Sequence, residues 1–63
     1  MNFSIGDRVI IVDDLENDGE FIGITGTITH IEEDAIEKEF LYKVLFDDTD
    51  IELFFYAEEL NKK

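Results

Sequence analysis

Apolar residues enter this chain in short bursts that alternate with polar neighbours and stop at turn residues, a spacing that predicts β-strands rather than helices. The first burst runs from Arg8 to Val12. A polar stretch rich in Asp, Glu and Asn, from Asp13 to Glu20, reads as a loop. The segment from Thr25 to Ile31 is dense in β-branched residues, which suit a half-buried pleated surface, and reads as the second strand. From Glu32 to Glu39 the pattern fades; the segment reads as a loop between strands, with a helical turn carrying an Asp34–Lys38 pair as the competing conformation.

The strongest inference concerns the next two strands. If Asp47, Asp48, Thr49 and Asp50 form a four-residue turn, antiparallel pairing sets Phe46 opposite Ile51, Val44 opposite Leu53 and Tyr42 opposite Phe55. Every pair on that face is apolar. The other face matches Leu45 with Glu52, Lys43 with Phe54 and Leu41 with Tyr56. A slip of one residue would exchange the two faces, so the register is well specified. Tyr56 to Glu59 reads as one tight helical turn before a short closing strand at Leu60 and Asn61.

These elements predict an all-β fold in a single domain, 1–63: a small, five-stranded, partly open barrel with a short helical turn before the last strand. Its expected core is Val9, Ile11, Ile28, Tyr42, Val44, Phe46, Ile51, Leu53, Phe55 and Leu60. The run Gly19-Glu20-Phe21-Ile22-Gly23-Ile24-Thr25-Gly26-Thr27-Ile28, preceded by Gly6-Asp7-Arg8-Val9, resembles the SH3-like barrel and, within it, the KOW-type module of transcription elongation factors and ribosomal proteins. With the later strands the resemblance extends over nearly the whole chain, and it implies a nucleic-acid or ribosome-associated role. The chain departs from that pattern where members that bind nucleic acid carry Lys or Arg, so their RNA contacts do not carry over.

Charge changes the functional picture. Seventeen Asp and Glu face five Lys and Arg, for a net charge of -12, and two of the cations are the terminal Lys62 and Lys63. Duplex DNA carries a negative charge about every 1.7 Å of its axis, so direct nucleic-acid binding is disfavoured, as is an anionic membrane. A basic protein surface would be attracted and steered. The competing reading of the acidity is simple solubility. With no cysteine and no apolar run near the roughly 20 residues that a spanning helix needs, the chain is expected to be cytoplasmic.

Chemistry finds few parts. Asp14 to Gly19 spaces oxygen ligands like the start of a calcium loop, but the twelfth position, where a bidentate Glu belongs, is Thr25, and a solvated acidic loop is the expected state. The aspartates of the 47–50 turn are explained by turn chemistry. His30, the single histidine, falls on the face of Gly26 and Ile28 by simple alternation and is read as a barrel-end or surface residue. No catalytic residue, metal site or cofactor site is assigned, and the chain is read as a non-enzyme.

The function expected is that of a protein-binding module engaging a larger protein with a basic surface. Its interface candidates are Asp13, Asp14, Glu16, Asp18, Glu20, Glu32, Glu33 and Asp34, with Leu41, Leu45, Phe54 and Tyr56 on the outer hairpin face. In size and charge the chain is also similar to small acidic phage proteins that inhibit nucleic-acid-handling enzymes by mimicry. The alternatives are a KOW-like nucleic-acid module using Arg8, Lys38 and Lys43, and an accessory subunit of an enzyme complex. The outer hairpin face could equally pair two copies of the chain or be covered by Phe3.

Overall fold

A computed structural model describes residues 3–36 and 38–63. The chain forms β1 (Arg8–Ile11), β2 (Thr25–Asp34), β3 (Glu39–Phe46), β4 (Glu52–Tyr56), a 3-10 turn (Ala57–Glu59) and β5 (Leu60–Lys62). All pairings are antiparallel, in one five-stranded sheet of order β4-β3-β2-β1-β5. The edge strands β4 and β5 would lie roughly 19 Å apart in a flat sheet, at about 4.8 Å per step. Only the 3-10 turn Ala57–Glu59 joins them, which rises about 2 Å per residue, so the sheet coils on itself. No ladder between β4 and β5 closes it among the described residues.

The β3–β4 hairpin adopts the register expected from its alternation, with Leu45 on Glu52, Val44 on Leu53, Lys43 on Phe54, Tyr42 on Phe55 and Leu41 on Tyr56. Phe46 N–H donates to the Ile51 carbonyl at 2.9 Å and closes the turn. Inside it, Asp48 takes φ +62° and the Thr49 hydroxyl donates to the Phe46 carbonyl.

The core comprises Phe3, Val9, Ile11, Ile28, Tyr42, Val44, Phe46, Phe55 and Leu60. Burying each such side chain contributes about 1.5–3 kcal/mol, which a domain this small needs. Three expectations change. Ile51 is exposed because it belongs to the turn, one residue before β4 begins, and Leu53 is only partly buried. Phe3 enters the core, stacking edge-on against Tyr42 at 5.3 Å, rather than covering the outer face.

A further correction is in β2. It continues past Ile31 to Asp34, so Glu32, Glu33 and Asp34 are paired with Leu41, Phe40 and Glu39 instead of forming a loop. After Asp34, Ala35 and Ile36 turn away from the strand, with the Asp34 carboxylate accepting from Ile36 N–H, and Lys38, with φ +56°, leads into β3; Glu37 lies outside the described residues. Between Ile28 and His30 the register shifts by one, a bulge at Thr29. Beyond it the faces exchange: Ile31 opposes inward Tyr42, and exposed His30 opposes Lys43 on the outer face rather than sharing the side of Gly26 and Ile28.

Gly26 shows why a glycine is required where β2 meets β3. A Cβ there would stand 2.4 Å from the Leu45 carbonyl oxygen and 2.6 Å from Val44 Cγ1. Neither neighbour has room to retreat, because Val44 is fully buried and Leu45 belongs to the central strand.

Candidate protein-binding surface

Alternation along the strands and the observed register assemble the outer face in cross-strand rows. Glu52, Leu45, Thr27 and Arg8 form one; Phe54, Lys43 and His30 the next; Tyr56, Leu41 and Glu32 the third. The apolar centre is therefore Leu41, Leu45, Phe54 and Tyr56. Leu41, Leu45 and Tyr56 are half-buried among their neighbours, while Phe54 is 38% exposed. Lys43 lays its ammonium 5.5 Å from the centre of the Phe54 ring, a cation–π contact that shields part of that ring.

Arg8, like Lys43, is occupied on this side. The Arg8 guanidinium donates to both Asp47 carboxylate oxygens, at 2.6 and 2.5 Å, and to the Thr27 hydroxyl at 2.9 Å. The Thr25 hydroxyl donates to Asp47 as well, at 2.7 Å. The hydrogen bonds from Arg8 and Thr25 hold the Asp47 carboxyl well below the usual carboxylate range, and Asp47 raises Arg8 in return. At the other edge Lys62 approaches Asp7 at 3.7 Å. Thr29, the bulged residue, donates to Glu52 at 2.8 Å.

The carboxylates expected at an interface divide into three kinds. Asp13, Glu16, Asp18 and Glu20 are exposed on the loop between β1 and β2. Glu32, Glu33 and Asp34 lie at the far end of β2, which has 10 residues, so the two groups stand up to roughly 30 Å apart at about 3.3 Å per residue. They form two acidic poles instead of one cluster. Asp48 and Asp50 join the loop pole, because the β3–β4 turn is tied to the start of β2 by Asp47 N–H and the Thr25 carbonyl.

Asp14 is the exception and leaves the interface. It is 2% exposed, and its two oxygens accept from Asn17 Nδ2 at 2.8 Å and from Phe21 N–H at 3.1 Å. The oxygen spacing that looked like a calcium loop is thus a loop staple, with both carboxylate oxygens engaged by protein donors. Glu59, which alternation along the sequence did not single out, does the same job from the other side. It is 3% exposed and accepts from Leu15 N–H at 3.1 Å and Tyr56 N–H at 2.8 Å. Its own carbonyl takes the N–H groups of Val12 and Asp13. Its place three residues after Tyr56, at the end of a helical turn, was the available signal, since an acid there can reach back to the opening N–H.

Among the described residues no group of His, Asp and Glu is arranged to hold a metal ion, and no helix is long and apolar enough to cross a membrane. No protein-family model, curated protein or solved structure matches this chain.

Proposed function

We propose that the coiled sheet is a small SH3-like barrel acting as a protein-binding module, and that its partner is a larger protein with a basic surface. One observation carries the reading: Arg8 and Lys62 are paired with Asp47 and Asp7, and Lys43 is held over Phe54, while Asp13, Glu16, Asp18, Glu20, Glu32, Glu33, Asp48 and Asp50 remain at the surface. A phosphate backbone would meet few uncommitted cations, whereas a basic protein would meet charge at both poles and an apolar centre between them. Charge sets the encounter rate and the choice of partner; Phe54, with Leu41, Leu45 and Tyr56 around it, supplies the desolvated contact. Two acidic poles separated by the length of β2 also suit competition with a nucleic acid for an extended basic groove.

The test combines direct and competitive binding. Fluorescence anisotropy with labelled duplex DNA and single-stranded RNA should show no saturable binding at physiological salt. Immobilised protein should retain from cell lysate a nucleic-acid-handling protein that excess duplex DNA displaces. Phe54→Ala, and separately Asp13→Asn with Glu16→Gln and Asp18→Asn, should each weaken that capture. Saturable binding of DNA or RNA that Lys43→Gln abolishes would instead support the KOW-like nucleic-acid role, with Lys43 and Phe54 as a stacking site.

A further inference from the structure

The inner face of the sheet opens at the end opposite the β3–β4 turn, where Phe3, Ile31, Phe40 and Tyr42 line a cleft of about 280 Å³. It exists because β2 and β3 run past the rest of the sheet: β1 meets β2 only through Thr25 to Thr27, and β4 meets β3 only as far as Leu41. Phe40 is left without a β4 partner and stays 48% exposed, although alternation turns it to the same side as Tyr42. The bulge at Thr29 brings Ile31 to that side as well. Leaving a Phe half in water beside an Ile forgoes burial that the core itself uses, and an apolar side chain inserted there would recover it.

The rim decides what kind of chain brings that side chain. Glu33 is directly opposite Phe40 and on the same face as Ile31, which places it beside the two residues that form this side of the cleft. Glu33 is exposed and makes no ion pair or side-chain hydrogen bond with the described residues. Glu32, Asp34 and Glu39 flank it, against the single described cation of the turn, Lys38. Tyr42 also makes no side-chain hydrogen bond with the described residues, yet no buried side-chain oxygen among them lacks a partner, so its hydroxyl reaches solvent from a ring that is otherwise buried. The cleft thus has apolar walls, one hydroxyl and an anionic lip. A second copy of this chain, which bears the same net charge of -12, is repelled by that lip.

We propose that this cleft is a docking site for a segment of a basic protein in which an apolar side chain is flanked by Lys or Arg. The apolar group fills the space between Phe3, Ile31, Phe40 and Tyr42, and the flanking cations meet Glu33 and its neighbours. This rests on the basic-partner reading and adds a second contact, on the opposite face of the sheet from Phe54.

The test is a titration of isotope-labelled protein with three synthetic hexapeptides, followed by amide NMR shifts: Lys-Lys-Phe-Leu-Lys-Lys, the same peptide with Ser-Ser at its centre, and Glu-Glu-Phe-Leu-Glu-Glu. The first should bind saturably, shifting Ile31, Glu33, Phe40 and Tyr42, and should weaken as salt is added. The other two should bind at least about tenfold more weakly. Phe40→Ser, at an exposed position, and Glu33→Gln should each reduce affinity for the first peptide while leaving the dispersed spectrum unchanged. Shifts confined to Leu41, Leu45, Phe54 and Tyr56 would overturn the cleft as the site but leave the basic-partner reading standing. Absence of saturable binding anywhere would count against both, and concentration-dependent shifts at the cleft without peptide would assign it to self-association and overturn the proposal.

Discussion

Asp47 is a turn residue that acts across the sheet, because its carboxylate receives two hydrogen bonds from Arg8 on β1 and one from Thr25 on β2. Its pKa is depressed in the folded chain, mainly by Arg8, so the ionised form favours folding. That contribution is full at neutral pH, begins to fade as pH falls through the ordinary Asp range of about 4, and disappears once Asp47 is protonated in both states. Asp47→Asn should therefore lower the melting temperature at pH 7, and the gap from the parent should narrow steadily below about pH 4. A gap independent of pH down to acid unfolding would show that the pairing adds nothing through charge. Asp14 carries a different cost, because its oxygens are enclosed and serve Asn17 and Phe21. Asp14→Ala should destabilise by about 1–3 kcal/mol, the usual penalty for leaving buried donors unsatisfied. Exposed Glu16→Gln should change stability by less than about 0.5 kcal/mol. Urea denaturation of the two variants checks this, and equal effects would contradict the staple.

At the scale of strands, the close approach of β2 and β3 at Gly26 is the tightest constraint. Gly26→Ala places a methyl within 2.4 Å of the Leu45 carbonyl oxygen, so the central ladder must open. Overpacking usually costs about 1–3 kcal/mol, and a backbone neighbour that cannot rotate away puts this case at or above the upper end. Thermal unfolding by circular dichroism should register it, and a variant as stable as the parent would rule out the contact. The β3–β4 register was legible in the sequence because two independent signals agree there: four turn residues in a row, and alternation that makes every inward pair apolar. The far half of β2 was not legible for the opposite reason. Glu32, Glu33 and Asp34 read as loop, and what holds them in a strand is pairing with Leu41, Phe40 and Glu39 across the hairpin. The bulge at Thr29 is likewise invisible to alternation, since one extra residue reverses which side faces inward and only the partner strand reveals it. Hence His30 moved outward and Ile31 inward, and the cleft beside Phe40 could not have been anticipated. The acidic candidates were legible as surface charge, whereas the burial of Asp14 and Glu59 depended on which backbone N–H groups the folded loop brings to them.

Over the whole molecule, 12 excess negative charges share a body measuring 32 × 26 × 20 Å. The screening length is about 30 Å at 10 mM salt, comparable to the longest dimension, so nearly every carboxylate feels every other one. At about 1 M salt it falls to roughly 3 Å, and only direct contacts such as Arg8 with Asp47 survive. Self-repulsion should therefore dominate the salt dependence of folding, and the melting temperature should rise with added sodium chloride. Each kcal/mol of repulsion relieved corresponds to about 4–8 °C in a domain of this size, so a rise of several degrees is the expected reading. A falling melting temperature would mean that the few ion pairs outweigh the excess charge. Capture of a basic partner should move the other way, since screening removes the attraction that steers the two together. Stability rising while binding weakens, over one salt series, is a pattern that an acidic surface kept only for solubility does not predict, because it would leave binding indifferent to salt. Exposed Phe54 and Phe40 then determine how much binding remains in high salt: apolar contacts persist there, so the residual affinity reports the share carried by the two aromatic faces and the loss reports the share carried by the poles.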